Sequence, residues 1–261
     1  MPSGNQDVYD LAPGSGALRL FEAEPLTHKH IPNVIQSIHD ALDPDPLQRY
    51  LLDTPDKDKA RFPRKREDAW NTLFCSQYIR KHRAYTVNGG DAIVVYDPAP
   101  NDEGSADGPL QRFLDKITGY LIGALDLWKS PQQKEREQEF YVKQRAVAEK
   151  VIGDQIKEMV VLRALATAPE KQGRGYGSML VRVVTAFADD RGRSTWVTSS
   201  NVDNTGFYES FGFKVVGEVR MGEENPTWNK APVIVRIMVR PPTQFTFKPY
   251  YEKLQEKGQL V

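Results

Sequence analysis

Cysteine is nearly absent: Cys75 stands alone among 261 residues. That excludes an intrachain disulfide and a multi-cysteine zinc site, and suits a reducing compartment. An excess of either charge is also missing. Lys plus Arg and Asp plus Glu each count 35, so no cationic surplus marks nucleic acid as the main partner. No apolar run reaches the length of about 18 residues that spans a bilayer. The opening MPSGNQDVYDLAPGSG has neither the basic nor the apolar region of a signal peptide. These absences predict a cytoplasmic protein, or a nuclear one, with no membrane partner. What is there, 39% hydrophobic and 27% charged residues, is enough for one large core with insertions.

Residues 1–16, polar and rich in Gly, Pro and Ser, read as a flexible tail, and residues 241–261 as an aromatic and then charged C-terminal extension. A single domain is expected between them, over 17–240. LRLFEAE from Leu18 alternates like a strand. Ile31, Val34, Ile35, Ile38, Ala41 and Leu42 recur at helical spacing between Thr27, a suitable cap, and DPDP. Trp70, Phe74 and Tyr78 share one face of a second helix, a spacing typical of core. AYTVNGGDAIVVY predicts a hairpin around Asn88, Gly89 and Gly90. KITGYLIGALDLW is expected to be a strand, and the charged stretch at 129–158 an amphipathic helical insertion before the next one. From Met159 the pattern runs strand, glycine loop, helix, strand, short helix ending at Gly212, and two strands.

The glycine loop is the informative part. QGRGYG, from Gln172 to Gly177, lacks the Lys and Ser/Thr of a Walker loop. It also lacks the third glycine and the downstream acid of a dinucleotide fingerprint. A glycine turn entering a helix still offers backbone N–H groups and the positive end of a dipole to a pyrophosphate. On that reading Gly175 and Gly177 lack side chains so that phosphates can approach. Arg174 and Lys171 add charge at the rim.

Gln172-x-x-Gly175-x-Gly177 after LATAP, followed downstream by NTGFYESFGFKVVGEV, resembles the coenzyme A pyrophosphate loop and Asn…Tyr…Gly-Phe segment of the GNAT superfamily of N-acetyltransferases. In tone it is most similar to fungal members. The resemblance implies an α/β (α+β) fold: a mixed, mostly antiparallel sheet of six to seven strands flanked by helices, splayed between the strands near 160–168 and 194–200. It implies acetyl-CoA as co-substrate, with Leu165, Ala166, Thr167, Gln172, Gly173, Arg174, Gly175, Tyr176, Gly177, Ser178, Asn204 and Tyr208 around it, and no metal.

The chemistry implied is attack of a primary amine of a small molecule on the thioester in a ternary complex. The Thr167 backbone contacts the acetyl oxygen. Tyr208, a phenol that keeps its proton at neutral pH, serves as general acid. The base stays open. Glu158 is the nearest acid before the loop, Thr198 occupies a position where similar sequences often have Glu, and His30 and His39 lie on the first helix as surface or capping residues. A water chain, or an amine arriving neutral, serves equally. The 129–158 insertion is expected to wall the acceptor site or to make a dimer contact, so monomer and homodimer both stand. Two alternatives remain: a protein or peptide acetyltransferase, and a non-catalytic acyl-CoA-binding module.

Overall fold

The computed structural model describes residues 9–11, 18–20, 22–102 and 108–243. In chain order the elements are β1 (Tyr9–Leu11), β2 (Leu18–Leu20), β3 (Ala23–Pro25), α1 (Ile31–Leu42), α2 (Pro46–Leu52), α3 (Pro63–Arg80), β4 (Ala84–Val87) and β5 (Ala92–Asp97). Then follow α4 (Pro109–Asp126), α5 (Pro131–Val151), β6 (Val160–Thr167), α6 (Tyr176–Asp190), β7 (Thr195–Ser199), α7 (Thr205–Glu209), β8 (Lys214–Met221) and β9 (Val233–Arg240). β1 and β2 pair as a separate two-stranded ribbon, so part of the stretch read as a tail is strand. The rest of 1–16, and the C-terminal extension beyond Thr243, lie outside the described residues.

The main sheet has seven strands in the order β3-β4-β5-β6-β7-β9-β8. Every pairing is antiparallel except β6 with β7. This is the mixed, mostly antiparallel sheet the sequence led us to expect. Alternation sorts the core by face. Val94, Tyr96, Leu162 and Val197 pack with Leu180 and Val184 of α6 on one side. Ile93, Val95 and Ala166 turn to the other side and meet Val34, Ile38 and Cys75 of α1 and α3. Trp196, Val219, Val235 and Ile237 meet Leu47, Tyr50 and Ala148 of α2 and α5. Helices therefore cover one face with α6 and the other with two separate pairs.

Two elements differ from expectation. KITGYLIGALDLW is not a strand but the body of α4, which starts at Pro109 directly after Gly108. Read from Pro109, the inward positions Leu114, Thr118, Ile122 and Leu125 follow helical spacing. Gly119 and Gly123, each costing about 1 kcal/mol relative to Ala in a helix, disguise it. The segment between β5 and β6 thus holds two helices, and the insertion begins well before residue 129. α2 was hidden behind DPDP, where Asp45 both ends the first stretch and caps the next by accepting from the Gln48 N–H at 2.9 Å.

Candidate active site

β6 is paired along its length with β5, from Val161↔Asp97 to Thr167↔Ala92, but with β7 only at Val160↔Thr195, Val161↔Trp196 and Leu162↔Val197. Beyond Leu162 the two parallel strands part and leave a V-shaped opening. The Ala168 N–H donates to the Asp91 carbonyl at 3.0 Å on the β5 side. In an antiparallel ladder such bonds fall on alternate residues, so Leu165 and Thr167 turn their backbone groups the other way, into the V. The Thr167 carbonyl there accepts from Gln172 Nε2 at 3.2 Å. Gln172 thus ties the loop to the strand it follows.

The loop itself is built by backbone conformation. Gly173 and Gly175 hold φ of +76° and +82°, a region that disfavours a β-carbon. Gly175 is the N-cap of α6, and no side chain caps it; Asp45 and Ser130, by contrast, cap α2 and α5. The first-turn N–H groups of α6, those of Gly177 and Ser178 among them, point out of the helix start. A β-carbon on Gly177 would lie 3.5 Å from Phe207 and 3.6 Å from Thr167 Oγ1. That contact brings the loop, the end of β6 and α7 to one place.

Tyr208 is buried in the α6-side core with Leu162 and Val197, the last residues to pair before the V opens. Phe207 and Phe213 meet its ring edge-on, with centroids at 5.2 and 5.7 Å. Burial pushes its phenol above the ordinary value of 10.0, so it stays protonated at any physiological pH. Asn201, not Asn204, caps the turn before α7, accepting from the Asp203 N–H at 3.0 Å. Asn204 is exposed. The Tyr176 ring is buried in the core, which leaves only backbone contacts with a coenzyme to that residue.

Glu158 is not brought to this place. It lies before the far end of β6, nine residues and therefore roughly 30 Å from Thr167 at strand rise. Asn101 donates to it at 2.5 Å and Arg193 pairs with it, which holds its carboxyl below the usual range. Nor are the other candidates unoccupied. Thr198 accepts from Gln144 at 3.3 Å. His30 accepts from the Thr27 N–H at 3.3 Å as half of a capping box, and His39 sits between Asp68 at 2.7 Å and Glu67 at 3.6 Å. Arg163, the charged residue on β6, pairs with Asp97 at 2.6 Å.

Sequence reasoning missed what covers the V. From α1, Asn33 donates to the Gly89 carbonyl at 3.2 Å and Ser37 to the Gly90 carbonyl at 2.7 Å, beside the end of β6. Three residues past the other end of α1, Asp45, the cap of α2, accepts from Ser200, just past β7, at 2.6 Å. α1 therefore bridges the open mouth. Between the α1–α3 and α2–α5 pairs lies a cavity of about 630 Å³, lined in part by His39, Leu42, Leu51, Trp70, Leu125 and Tyr141.

A sheet that parts after three residue pairs, beside an uncapped glycine turn and a buried tyrosine, is the layout that the resemblance implied. Residues 119–215 match the family model described as an acetyltransferase (GNAT) domain. The match spans less than half of the chain. Solved structures share the fold at low identity. Arylalkylamine N-acetyltransferase 2 from Aedes aegypti has a TM-score of 0.54 at 14% identity, covering 86% of this chain and 100% of that one. Putative arylalkylamine N-acetyltransferase 7 from the same mosquito has a TM-score of 0.54 at 12%, covering 87% and 89%. The C-terminal condensation domain of Ebony, in complex with beta-alanyl-dopamine, has a TM-score of 0.57 at 11%, covering 85% and 98%. No curated protein matches the chain. Among the described residues no group of His, Cys, Asp and Glu is arranged to hold a metal, and no helix is long and apolar enough to cross a membrane.

Proposed function

We propose that this chain is a GNAT acetyltransferase that transfers an acetyl group from acetyl-CoA to the primary amine of a small molecule, by direct attack in a ternary complex. The observation that carries the reading is the V between β6 and β7, into which Leu165 and Thr167 turn their backbone groups. Pantetheine pairs there like a missing strand, and the N-terminus of α6 takes the pyrophosphate, with Arg174 at the rim. The Thr167 N–H donates to the thioester oxygen and stabilises the oxyanion that forms on it. The amine, neutral on arrival, attacks the carbonyl carbon, the C–S bond breaks, and Tyr208 O–H gives its proton to the departing thiolate. The amine's displaced proton returns to solvent or to the tyrosine.

The acceptor enters from the helical face opposite α6. The cavity on that face, bounded by α1 and lined by Trp70 and Tyr141 together with carboxylates such as Asp43, Glu67 and Glu137, suits a compact amine better than an extended peptide. Arylalkylamines are the acceptors named for two proteins of the same fold. A thiol-release assay with acetyl-CoA against arylalkylamines, polyamines, amino acids, aminoglycosides and peptides tests this. Release with small amines is expected. Release with peptides alone would make it a protein or peptide acetyltransferase, and coenzyme binding without release across the panel would make it a non-catalytic module.

A further inference from the structure

The outward face of α4 carries an apolar seam. Leu110, Phe113, Ile117, Tyr120, Ala124 and Leu127 are separated alternately by three and four residues, the heptad interval at which one helix packs along another. All six are exposed, Leu110 at 70%, Tyr120 at 79% and Leu127 at 73%. The opposite face of α4 already has its partner in α3 and the residue after it: Arg80 donates to Thr118 at 3.2 Å and Lys81 pairs with Asp115 at 2.7 Å. Phe62, 61% exposed and edge-on to Trp128 at 5.8 Å, extends the apolar surface at the C-terminal end. With aromatics contributing about 150–250 Å² each when covered, the face approaches the roughly 800 Å² that each partner supplies to a stable interface.

We infer that α4 pairs antiparallel with α4 of a second copy, about a two-fold axis passing beside Ile117 and Tyr120. The helix ends and the sizes of the seam residues select the direction. Arg112 and Lys116 flank the seam near the start of the helix, and Asp126 lies near its end. Antiparallel pairing sets Arg112 of each copy near the negative C-terminal end of the other helix, where Asp126 is held by Lys129 at 2.6 Å. Parallel pairing would instead set Phe113 on Phe113 and Ala124 on Ala124, a poorer match of sizes. The layers also fit in size, Leu110 on Leu127, Ile117 on Tyr120, and bulky Phe113 on Ala124. Gly119 and Gly123, with no atom within 4 Å of an added β-carbon, leave room beside the seam.

Sedimentation of the full chain tests the pairing, and a concentration-dependent dimer is expected. The double variant Ile117→Asp, Tyr120→Asp, altered only at surface positions, is expected to be monomeric with an unchanged far-UV circular dichroism spectrum. Because Cys75 is buried, introduced thiols report cleanly. A mixture of Leu110→Cys and Leu127→Cys chains should oxidise to a crosslinked heterodimer, and Leu110→Cys alone should not crosslink. A full chain that stays monomeric, a dimer that survives the double substitution, or self-crosslinking of Leu110→Cys would overturn the inference. So would a monomer whose α4 begins to bind an apolar dye only after residues 244–261 are removed, since that segment would then be the occupant.

Discussion

At the residue scale, Tyr208 carries the sharpest expectation. Its ring belongs to the core, and that core also holds Leu162 and Val197, the last residues to pair before the strands part. On the proposed reading, core residue and proton donor are one side chain, and the burial that packs it also favours its protonated form. Tyr208→Phe keeps the ring and removes the proton. Turnover should fall by at least about 10²-fold, the lower end of the range for general acid catalysis, while acetyl-CoA affinity measured by calorimetry stays close to the parent. Because burial raises the phenol's pKa, the protonated form persists as pH rises. Parent turnover should therefore show no falling limb below about pH 10. A limb near neutral pH would remove Tyr208 from the role.

At the element scale, the glycines of the loop act in two ways that the sequence alone had merged. Gly175 is required by its left-handed backbone, whereas Gly177 has helical backbone and room for a β-carbon beside Phe207 and Thr167. Gly175→Ala should cost about 1–2 kcal/mol of stability. Gly177→Ala, whose β-carbon would meet only ordinary contact distances, should be neutral or slightly stabilising within α6; thermal melts of the two variants separate the cases. Gly175→Asp should in addition abolish coenzyme binding, by placing a carboxylate where the phosphates come. The loop was legible in the sequence because its signals are local: turn, helix start and flanking strand all lie within about twenty residues. α4 was not, since its periodicity appears only when read from Pro109 and two glycines interrupt it. The cavity among the helices was legible in no segment, because it exists only where α1, α2, α3, α4 and α5 converge. Glu158 illustrates the same limit from the other side. Proximity in sequence to a functional strand said nothing about which end of that strand it would occupy.

At the scale of the whole molecule, the last strand is fastened to α6 by a buried ion pair. Arg240, at the end of β9, holds Asp189 of α6 through two bonds of 2.7 Å, with the side chains only 9% and 5% exposed. Removing one partner strands the other charge in the interior. Arg240→Ala should cost about 3–5 kcal/mol and lower the melting temperature by roughly 10 °C, with catalytic constants of the remaining folded protein unchanged. A change in turnover larger than the change in folded fraction would mean that the pair also shapes the V.

The three-pair joint between β6 and β7 has a further consequence, for how such a protein can evolve or be engineered. Strands that run parallel for three residues and then diverge leave ladder bonds unmade, a reserve of stability that the molecule forgoes. A variant bred only for heat resistance has an obvious route open to it: zip the strands further and collect those bonds. It would emerge sturdier and inert, its best improvement having sealed the slot it worked through.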